Sequence, residues 1–336
     1  MKNKQLKKIF SPDFLTVLGV LLLYGVMSFL LYGGMTTRQV SNMLISISCY
    51  IVLAVSLNLV VGLLGELSLG HAGFMSVGLF SGCLVSIAWK DVLPLAVRLP
   101  LCMVIGGLFA ALVGLLVGLP ALRLKGDYLA IVTLACGEII KNIINNLNIT
   151  GGALGLNTQP ILQNTKTLFP YAIVLVVLTV WVMLNFRNSK HGRAVMAIRD
   201  NRIAAESSGI HVTSYKLLVF VAAAFFAGMA GVLYGHNLAN IKSVTFDYNM
   251  SIEILVIVVL GGMGSIRGSV IAAVILRALP EILRDFSDYR MLAYSILLIV
   301  IMLTNENKAF REWKESLGGK VKAAFRRKKA GKGDAV

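Results

Sequence analysis

The sequence has few charged residues and few prolines, and both shortages restrict what the protein can be. Charged side chains make up 14% of the 336 residues and apolar side chains 57%, whereas an ordinary soluble chain carries roughly 25% charge. So little charge cannot cover the surface of a water-soluble domain. The seven prolines and 32 glycines are too few for a disordered or collagen-like chain. The composition therefore predicts an all-α, polytopic membrane protein.

Cysteine and histidine are also scarce, which argues against a disulfide framework, a zinc site or a membrane-embedded enzyme. We expect free buried thiols and no bound metal, because the four cysteines stand in apolar surroundings without a CxxC pair. The chain lacks the GxxxxGKS or GxxxxGKT pattern of a P-loop, so we expect it not to bind and hydrolyse ATP by a P-loop of its own. No Ser/His/Asp or Cys/His spacing indicates a nucleophile, so we expect no catalytic residue and no directly bound cofactor. The residues concerned are Cys49, Cys83, Cys102, Cys136 and the scattered His71, His191, His211, His236.

Acidic residues are half as numerous as basic ones, 16 against 32, and the basic residues cluster beside apolar runs. The three clusters occupy residues 2–8, 187–216 and 308–332. Because loops rich in Lys and Arg stay in the cytoplasm, we expect these clusters and both termini to be cytoplasmic. A nucleic-acid-binding protein carries such charge on a soluble fold, so no nucleic-acid partner is expected. The tail is either solvated or in contact with anionic membrane lipid.

Long apolar runs predict about ten transmembrane segments. A bilayer core of about 30 Å needs roughly 20 apolar residues per helix. Cytoplasmic termini require an even number of crossings, so eight remains possible if one short run only dips into the membrane. The first run is too long for a signal peptide and lacks a cleavage site, so we interpret it as a retained helix. The runs cover residues 14–37, 39–65, 67–89, 99–122, 128–146, 167–186, 217–241, 254–266, 268–283 and 291–305.

These runs divide the chain into five parts. The expected order is a cytoplasmic N-terminus (1–13), an N-terminal transmembrane bundle (14–186), a cytoplasmic loop (187–214), C-terminal transmembrane segments (215–305) and a basic cytoplasmic tail (306–336).

The loop 187–214 has a helical pattern of its own. Good helix formers at residues 194–208 precede Gly209, a typical helix stop. Such a helix lies on the membrane surface or is presented to a soluble partner, and both interpretations stay open. Its small and apolar residues fall roughly along one face: Ala194, Ala197, Ile198, Ala205, Gly209.

Two glycine-rich interruptions break the apolar runs. Residues 62–73 hold Gly62, Gly65, Gly70 and Gly73 around polar side chains. Since glycine costs a helix roughly 1 kcal/mol against alanine, we expect an unwound, kinked or very closely packed segment. It either lines a translocation path or packs helices tightly at the cytoplasmic interface. The second interruption, at residues 261–265, hints at a pathway between two repeats.

The polar side chains of the first interruption are Glu66, Ser68 and His71. Ionisable groups cost about 2.5–3.5 kcal/mol each at the bilayer centre, so they usually face a bundle interior or a water-filled path. For His71 alone, a structural hydrogen bond is favoured over a role as a ligand or proton relay.

The order and spacing of several motifs resemble one family. The resemblance is to branched-chain amino-acid ABC transporter permeases of the LivM type (the LivH/LivM family), and it covers roughly residues 40–285. Ala135 and Cys136 depart from the glycine or aromatic residues expected there. The motifs are NLVVG at 58–62, LSLGHAGF at 67–74, GDYLAIVTL at 126–134, GEI at 137–139, TGG at 150–152, GRAVMAIRDNRIAAESSGI at 192–210 and GGMGSIRG at 261–268.

The resemblance implies an ABC importer permease fold with glycine-broken helices, and it implies partners. Family members pair with a second homologous permease, dock on two cytoplasmic ATPase subunits and receive substrate from an extracytoplasmic solute-binding protein. ATP is then bound by the partner subunits and not by this chain. The implied activity is alternating-access transport of branched-chain amino acids, or related small amino acids and amides, across the bacterial plasma (inner) membrane.

The resemblance also assigns residues to two tasks. The loop 187–214 becomes the coupling loop that contacts the ATPase, through Arg193, Ala197, Arg199, Asp200, Ala205, Glu206 and Gly209. The translocation pathway is expected to involve Asn58, Gly65, Glu66, Ser68, His71, Asp127, Thr133, Glu138, Gly262 and Ser265.

The alternative is an ion-coupled secondary transporter of a small polar solute. Such a protein needs a titrating carboxylate near the middle of the membrane as its proton or sodium site. Glu66, Asp127 and Glu138 stand near the ends of predicted spans, which favours the ATP-driven importer.

Overall fold

The computed structural model describes residues 38–282 with the exception of residue 125, together with ten isolated residues outside that range. The predicted N-terminus 1–13, most of the first run 14–37, most of the last run 291–305 and the tail 306–336 lie outside the described residues. The chain divides into two compact units, residues 1–278 and residues 279–336. The first unit holds all the features described below, and the second begins with the last turn of a helix.

The described part of the chain folds into ten α-helices and one pair of two-residue strands. A π-helical turn, Leu59–Leu64, continues the first helix. Strand β1 (Leu156–Asn157) pairs antiparallel with β2 (Asn240–Ile241). The helices are α1 Arg38–Asn58, α2 His71–Ala88, α3 Leu95–Ala121, α4 Asp127–Asn146, α5 Thr165–Asn188, α6 Lys190–Asp200, α7 Arg202–Ser207, α8 Val212–Gly235, α9 Tyr248–Gly261 and α10 Ile266–Ile282.

The helical, multi-pass architecture expected from the composition is confirmed. Within the described residues, six helical segments are long and apolar enough to cross a membrane: Met43–Leu64, His71–Ala88, Leu95–Ala121, Thr165–Asn188, Val212–Gly235 and Ser243–Gly261. Helix α4, with 20 residues, is as long as these but carries three charged residues. Helix α10 has 17 residues.

Most predicted spans match a helix to within a few residues, and three differ for clear reasons. The run 67–89 becomes helical only at His71, because the glycine-rich residues before it leave the helix. The run 217–241 stops being helical after Gly235, and residues 240–241 form β2 instead. Helix α9 begins earlier than the run 254–266, at Tyr248, because Asp247 Oδ1 accepts a hydrogen bond from Met250 N at 3.1 Å and caps it.

Helix α8 lies in the centre of the bundle, where it packs against α2, α3 and α1. Phe74 of α2 and Phe220 of α8 make an edge-to-face contact with ring centroids 5.3 Å apart.

All four cysteines are free thiols, as expected; three are buried and Cys136 is half-buried.

The bundle has two distinct ends. At one, here called the loop end, α6 and α7 follow α5, and α6 lies beside the π-helical turn that continues α1. At the other, the strand end, β1 pairs with β2. Helix α8 runs from the loop end to the strand end, where His236 Nε2 is 2.8 Å from Ser86 Oγ.

Candidate transport site and coupling loop

The first glycine-rich interruption is unwound, as predicted. The π-helical turn Leu59–Leu64 is followed by six residues outside any helix, and together residues 59–70 form what we call the broken segment. Gly65 adopts a left-handed backbone conformation with φ of 79°. His71 Nε2 lies 2.9 Å from Ser56 Oγ, so α2 begins beside the last turn of α1, before the π-helical turn. This contact also gives His71 the structural hydrogen bond that the sequence favoured.

Helix α4 packs closely against the broken segment. Thr133 Oγ1 accepts a hydrogen bond from Leu69 N at 3.0 Å and donates one to Ala130 O at 3.0 Å. A Cβ on Gly70 would lie only 2.7 Å from Thr133 O, so glycine permits this approach. Tight glycine packing and an unwound backbone therefore occur in the same segment, although the sequence presented them as alternatives.

Ser68, within the broken segment, has an unpartnered hydroxyl. The residue is 1% exposed, and its Oγ has no hydrogen-bond partner among the described residues. Most buried polar atoms in native proteins are paired. Ser68 is therefore the group of this segment best suited to receive a hydrogen bond from a passing solute or water.

The two glycine-rich interruptions meet in space. Asn58, fully buried, accepts a hydrogen bond at Oδ1 from Gly264 N at 2.8 Å and donates from Nδ2 to Ser269 Oγ at 2.9 Å. A Cβ on Gly62 would overlap Asn58 Oδ1 and the Gly264 backbone. The broken segment is thus in direct contact with residues 261–265, here called the glycine turn.

The glycine turn itself connects α9 to α10. Gly262 has a φ of 89°, and Gly262 O accepts from Ser265 N at 2.9 Å. Ser265 Oγ accepts a hydrogen bond from Gly268 N at 3.2 Å and so caps the start of α10. Both predicted pathway residues of this motif therefore have a structural task in the turn.

Glu66 forms a buried ion pair that ties the broken segment to α8. Its carboxylate pairs with the Lys216 ammonium, and the two side chains are 15% and 4% exposed. The sequence analysis selected Glu66 but missed Lys216. Lys216 could have been found from the sequence, because it directly precedes the apolar run 217–241. A charge buried at the edge of a membrane span needs a partner of opposite charge.

The two acidic residues of α4 have different surroundings. Asp127 is exposed at the first residue of the helix. Glu138 lies in the interior of α4, so the prediction that it stands near the end of a span is wrong. It pairs with Lys141 one turn later, and its Oε1 accepts a hydrogen bond from Tyr248 N at 3.0 Å. Glu138 thereby holds the start of α9 against α4.

A second charged group, which the sequence analysis did not select, joins α1, α9 and α10. Arg277 Nη1 lies 3.3 Å from Glu253 Oε1, and Arg277 Nε donates to Ser46 Oγ at 3.0 Å. The guanidinium also covers the Tyr50 ring at 4.3 Å from its centroid. The signal was available, since Arg277 interrupts the run 268–283 and Glu253 directly precedes the run 254–266.

The polar loop forms two helices, so the predicted single helix over residues 194–208 is wrong. The chain leaves the helix at Asn201, whose φ is −155° and whose Oδ1 accepts a hydrogen bond from Ala204 N at 3.1 Å. Asn201 thus ends α6 and caps α7. The predicted stop at Gly209 is correct: Gly209 has a φ of 82°, and Ile210 N donates back to Ala205 O at 3.1 Å.

The buried side of this loop also differs from the predicted face. Ile198 and Ala205 are buried, but Ala197 and Gly209 are exposed. Because the helix breaks at Asn201, α6 and α7 do not share one continuous face. The buried Ala205 holds α7 in place and does not offer a surface. The other predicted coupling residues are exposed: Arg193, Ala197, Arg199, Asp200, Glu206, Gly209.

Ile203 is the apolar residue on α7 that the sequence analysis missed. It is 77% exposed, although isoleucine is usually buried. An isoleucine between polar residues in a loop that cannot span the membrane was the available signal. Beside it, Arg202 Nε lies 3.0 Å from Glu206 Oε1. Ile203 and this ion pair together form an exposed apolar and charged surface at the loop end.

Comparison with known proteins identifies the family. The family described as "Branched-chain amino acid transport system / permease component" matches residues 39–304. The high-affinity branched-chain amino acid transport system permease protein LivM of Escherichia coli K12 is 35% identical over 285 residues, which are 76% of this chain and 66% of that protein. Its counterpart in Salmonella typhimurium is 36% identical over 289 residues, with the same coverage.

A more distant relative is named for a different substrate, ribose. The ribose import permease protein RbsC of Haemophilus influenzae is 24% identical over 309 residues, 86% of this chain and 91% of that protein. No solved structure matches the chain. The chain spans about two thirds of the length of the two LivM proteins. The family match over residues 39–304, together with these identities, shows that the chain belongs to the branched-chain amino acid transport system permease family.

Proposed function

We propose that the chain is the membrane-spanning permease subunit of an ATP-binding-cassette importer. Its cargo is a branched-chain amino acid or a related small amino acid or amide, carried across the bacterial inner membrane. The observation that carries the proposal is the placement of the helix pair α6 and α7 in the polar loop: α6 lies directly against the broken segment of the bundle, and α7 follows it. The names of the LivM relatives support the substrate class.

The proposed assembly contains a second homologous permease, two cytoplasmic ATPase subunits, an extracytoplasmic solute-binding protein and surrounding membrane lipid, but no nucleic acid. ATP is bound by the ATPase subunits. Eight described helices (α1–α5 and α8–α10) and the predicted runs 14–37 and 291–305 make ten crossings with both termini cytoplasmic. The loop end then faces the cytoplasm, where α6 and α7 meet the ATPase.

In the proposed mechanism, ATP binding closes the ATPase dimer and moves α6 and α7 as a rigid pair. The broken segment and the glycine turn change position with them, and the path past Ser68 opens alternately to the two sides. The permease offers few polar groups along this path, so selectivity rests mainly with the solute-binding protein.

The alternative of an ion-coupled transporter has less support. Three carboxylates of the described membrane helices and the broken segment already pair with a cation: Glu66 with Lys216, Glu138 with Lys141 and Glu253 with Arg277. Asp127 is exposed at the first residue of α4. A proton or sodium site needs a carboxylate that is free to titrate or to bind the ion.

The test is transport by the purified complex in proteoliposomes. The chain is co-expressed with the ATPase subunits and the solute-binding protein proposed as its partners, purified through a tag on this chain, and supplied with radiolabelled leucine. Uptake that requires ATP and the binding protein supports the proposal. Uptake by this chain alone, driven by a proton or sodium gradient, contradicts it.

A further inference from the structure

Arg199 faces the bundle, although the resemblance assigned it to the surface for the ATPase. Its Nη1 donates a hydrogen bond to Gly62 O at 3.1 Å. Its aliphatic part lies against Gly65, where a Cβ would be 2.6 Å from Arg199 Cγ. Arg199 therefore joins α6 directly to the broken segment.

The orientation of the Arg199 guanidinium is fixed by α6 itself. Its Nε and Nη2 both donate to Asp200 Oδ1, at 3.1 and 3.0 Å. The guanidinium is rigid and planar. Because Asp200 binds Nε and Nη2, the direction in which Nη1 points toward Gly62 O is fixed as well. A displacement of α6 is therefore passed to the Gly62 carbonyl.

From Gly62 the contacts continue to the glycine turn. Gly62 lies against Gly264 and Asn58 Oδ1 without room for a side chain. Asn58, the last residue of α1, in turn binds Gly264 N of the glycine turn and Ser269 Oγ of α10. Three consecutive contacts thus lead from α6 through the broken segment to α10. The path joins all the elements that must move if the bundle opens at its glycine interruptions.

We propose that Arg199 is the positioning residue that transmits movement of α6 to the broken segment and the glycine turn. This inference rests on the proposed function and adds to it one side chain, Arg199, through which ATP-driven movement of α6 is transmitted to the transmembrane helices. Arg199 acts through backbone groups and need not touch the transported solute. Lysine is a poor substitute, because its ammonium cannot bind Asp200 and Gly62 O in the same fixed geometry.

The experiment compares Arg199→Met with Lys190→Met in the full complex. Both changes remove one cation from exposed positions of α6, but Lys190 is at the opposite end of the helix from Gly62. Uptake of radiolabelled leucine and ATP hydrolysis are measured in the same proteoliposomes. We expect Arg199→Met to lower the ratio of leucine moved to ATP hydrolysed by about tenfold, within the usual range of coupling between sites. Lys190→Met and wild type should have equal ratios.

A second readout follows the glycine turn itself. Met263, 63% exposed in that turn, is changed to cysteine in a Cys136→Ser background and carries a spin label. In the wild-type complex, we expect the label spectrum to change when ATP is added. Arg199→Met should abolish that change, and Arg199→Lys should reduce it, while both variants still retain the ATPase and unfold at the wild-type temperature.

The outcomes separate the two proposals. If the wild-type complex does not couple uptake to ATP, the proposed function fails and the role of Arg199 fails with it. If the wild type is coupled, and Arg199→Met has the same leucine-to-ATP ratio and the same label response, only the role of Arg199 is overturned. A lowered ratio with an unchanged label response also overturns it, because transmission to the glycine turn is then intact.

Discussion

The Glu66 carboxylate and the Lys216 ammonium form an ion pair that fastens the broken segment to the start of α8. The two residues are 150 positions apart in the chain, and the Lys216 side chain is only 4% exposed. A buried cation of this kind is tolerated because its partner is present, and removing the partner leaves an uncompensated charge. The pair therefore holds an otherwise irregular stretch of backbone in one position.

We expect Glu66→Gln to destabilise the protein strongly, by about 3–5 kcal/mol, the usual cost of breaking a buried pair. The double variant Glu66→Gln with Lys216→Met should recover most of that loss, because no charge is then left without a partner. The measurement is the free energy of unfolding in detergent by titration with denaturant. A single variant as stable as the double one would show that Lys216 is solvated.

Gly62→Ala should disrupt the contact between the broken segment and the glycine turn. The added Cβ has no room, because Asn58 Oδ1 and the Gly264 backbone already occupy its position. Overpacking of this kind costs typically about 1–3 kcal/mol, and transport should fall as well because the two elements separate.

The control for Gly62→Ala is Gly137→Ala in α4. Its Cβ would meet Gly70 Cα at 3.6 Å, an ordinary van der Waals distance. Thermal unfolding and leucine uptake are compared for both variants. Equal tolerance of the two changes would mean that the broken segment and the glycine turn are not packed as closely as described.

The sequence predicted what depends on composition and local pattern. Apolar runs located the spans, glycine located the two interruptions, and the left-handed preference of Gly209 located a helix stop. Residues 39–65 were predicted as a span, and the helix with its π-helical turn covers residues 38–64. These features follow from the local chain and the membrane, so no tertiary contact was needed to find them.

The contacts that organise the site could not be predicted, because they join distant parts of the chain. Arg199 and Gly62 are 137 positions apart, and Asn58 and Gly264 are 206. A charged residue in a loop, such as Arg199, is interpreted as a surface residue unless its partner inside the bundle is known. The break at Asn201 was missed for another reason: its neighbours favour helix, and only the side-chain cap on Ala204 N decides the local structure.

Ser68→Ala should separate stability from transport. Since Ser68 Oγ has no partner among the described residues, its removal should leave the free energy of unfolding unchanged or slightly higher. Ser56→Ala in α1 should instead cost about 1–3 kcal/mol, because it leaves the His71 ring nitrogen unpaired.

The transport readout for this pair is the KM and the maximal rate of leucine uptake. If Ser68 contacts the solute, Ser68→Ala should change these values in a protein of unchanged stability. Unchanged uptake would remove Ser68 from the pathway. A clear loss of stability would instead indicate that its hydroxyl has a partner in the folded protein.

Ile203→Ser should weaken attachment of the ATPase without affecting the fold of this chain. Ile203 is 77% exposed on α7 and so makes little contribution to the core, but an apolar side chain in a partner's cleft is a typical anchor of an interface. We expect about tenfold weaker binding, equivalent to about 1.4 kcal/mol, measured as the amount of ATPase that co-purifies through a range of salt and detergent washes. Ile149→Ser is the matched control, since Ile149 is 73% exposed in the loop after α4, on the opposite side from α7. Loss of the ATPase from both variants, or from neither, would contradict the assignment of α7 as its docking surface.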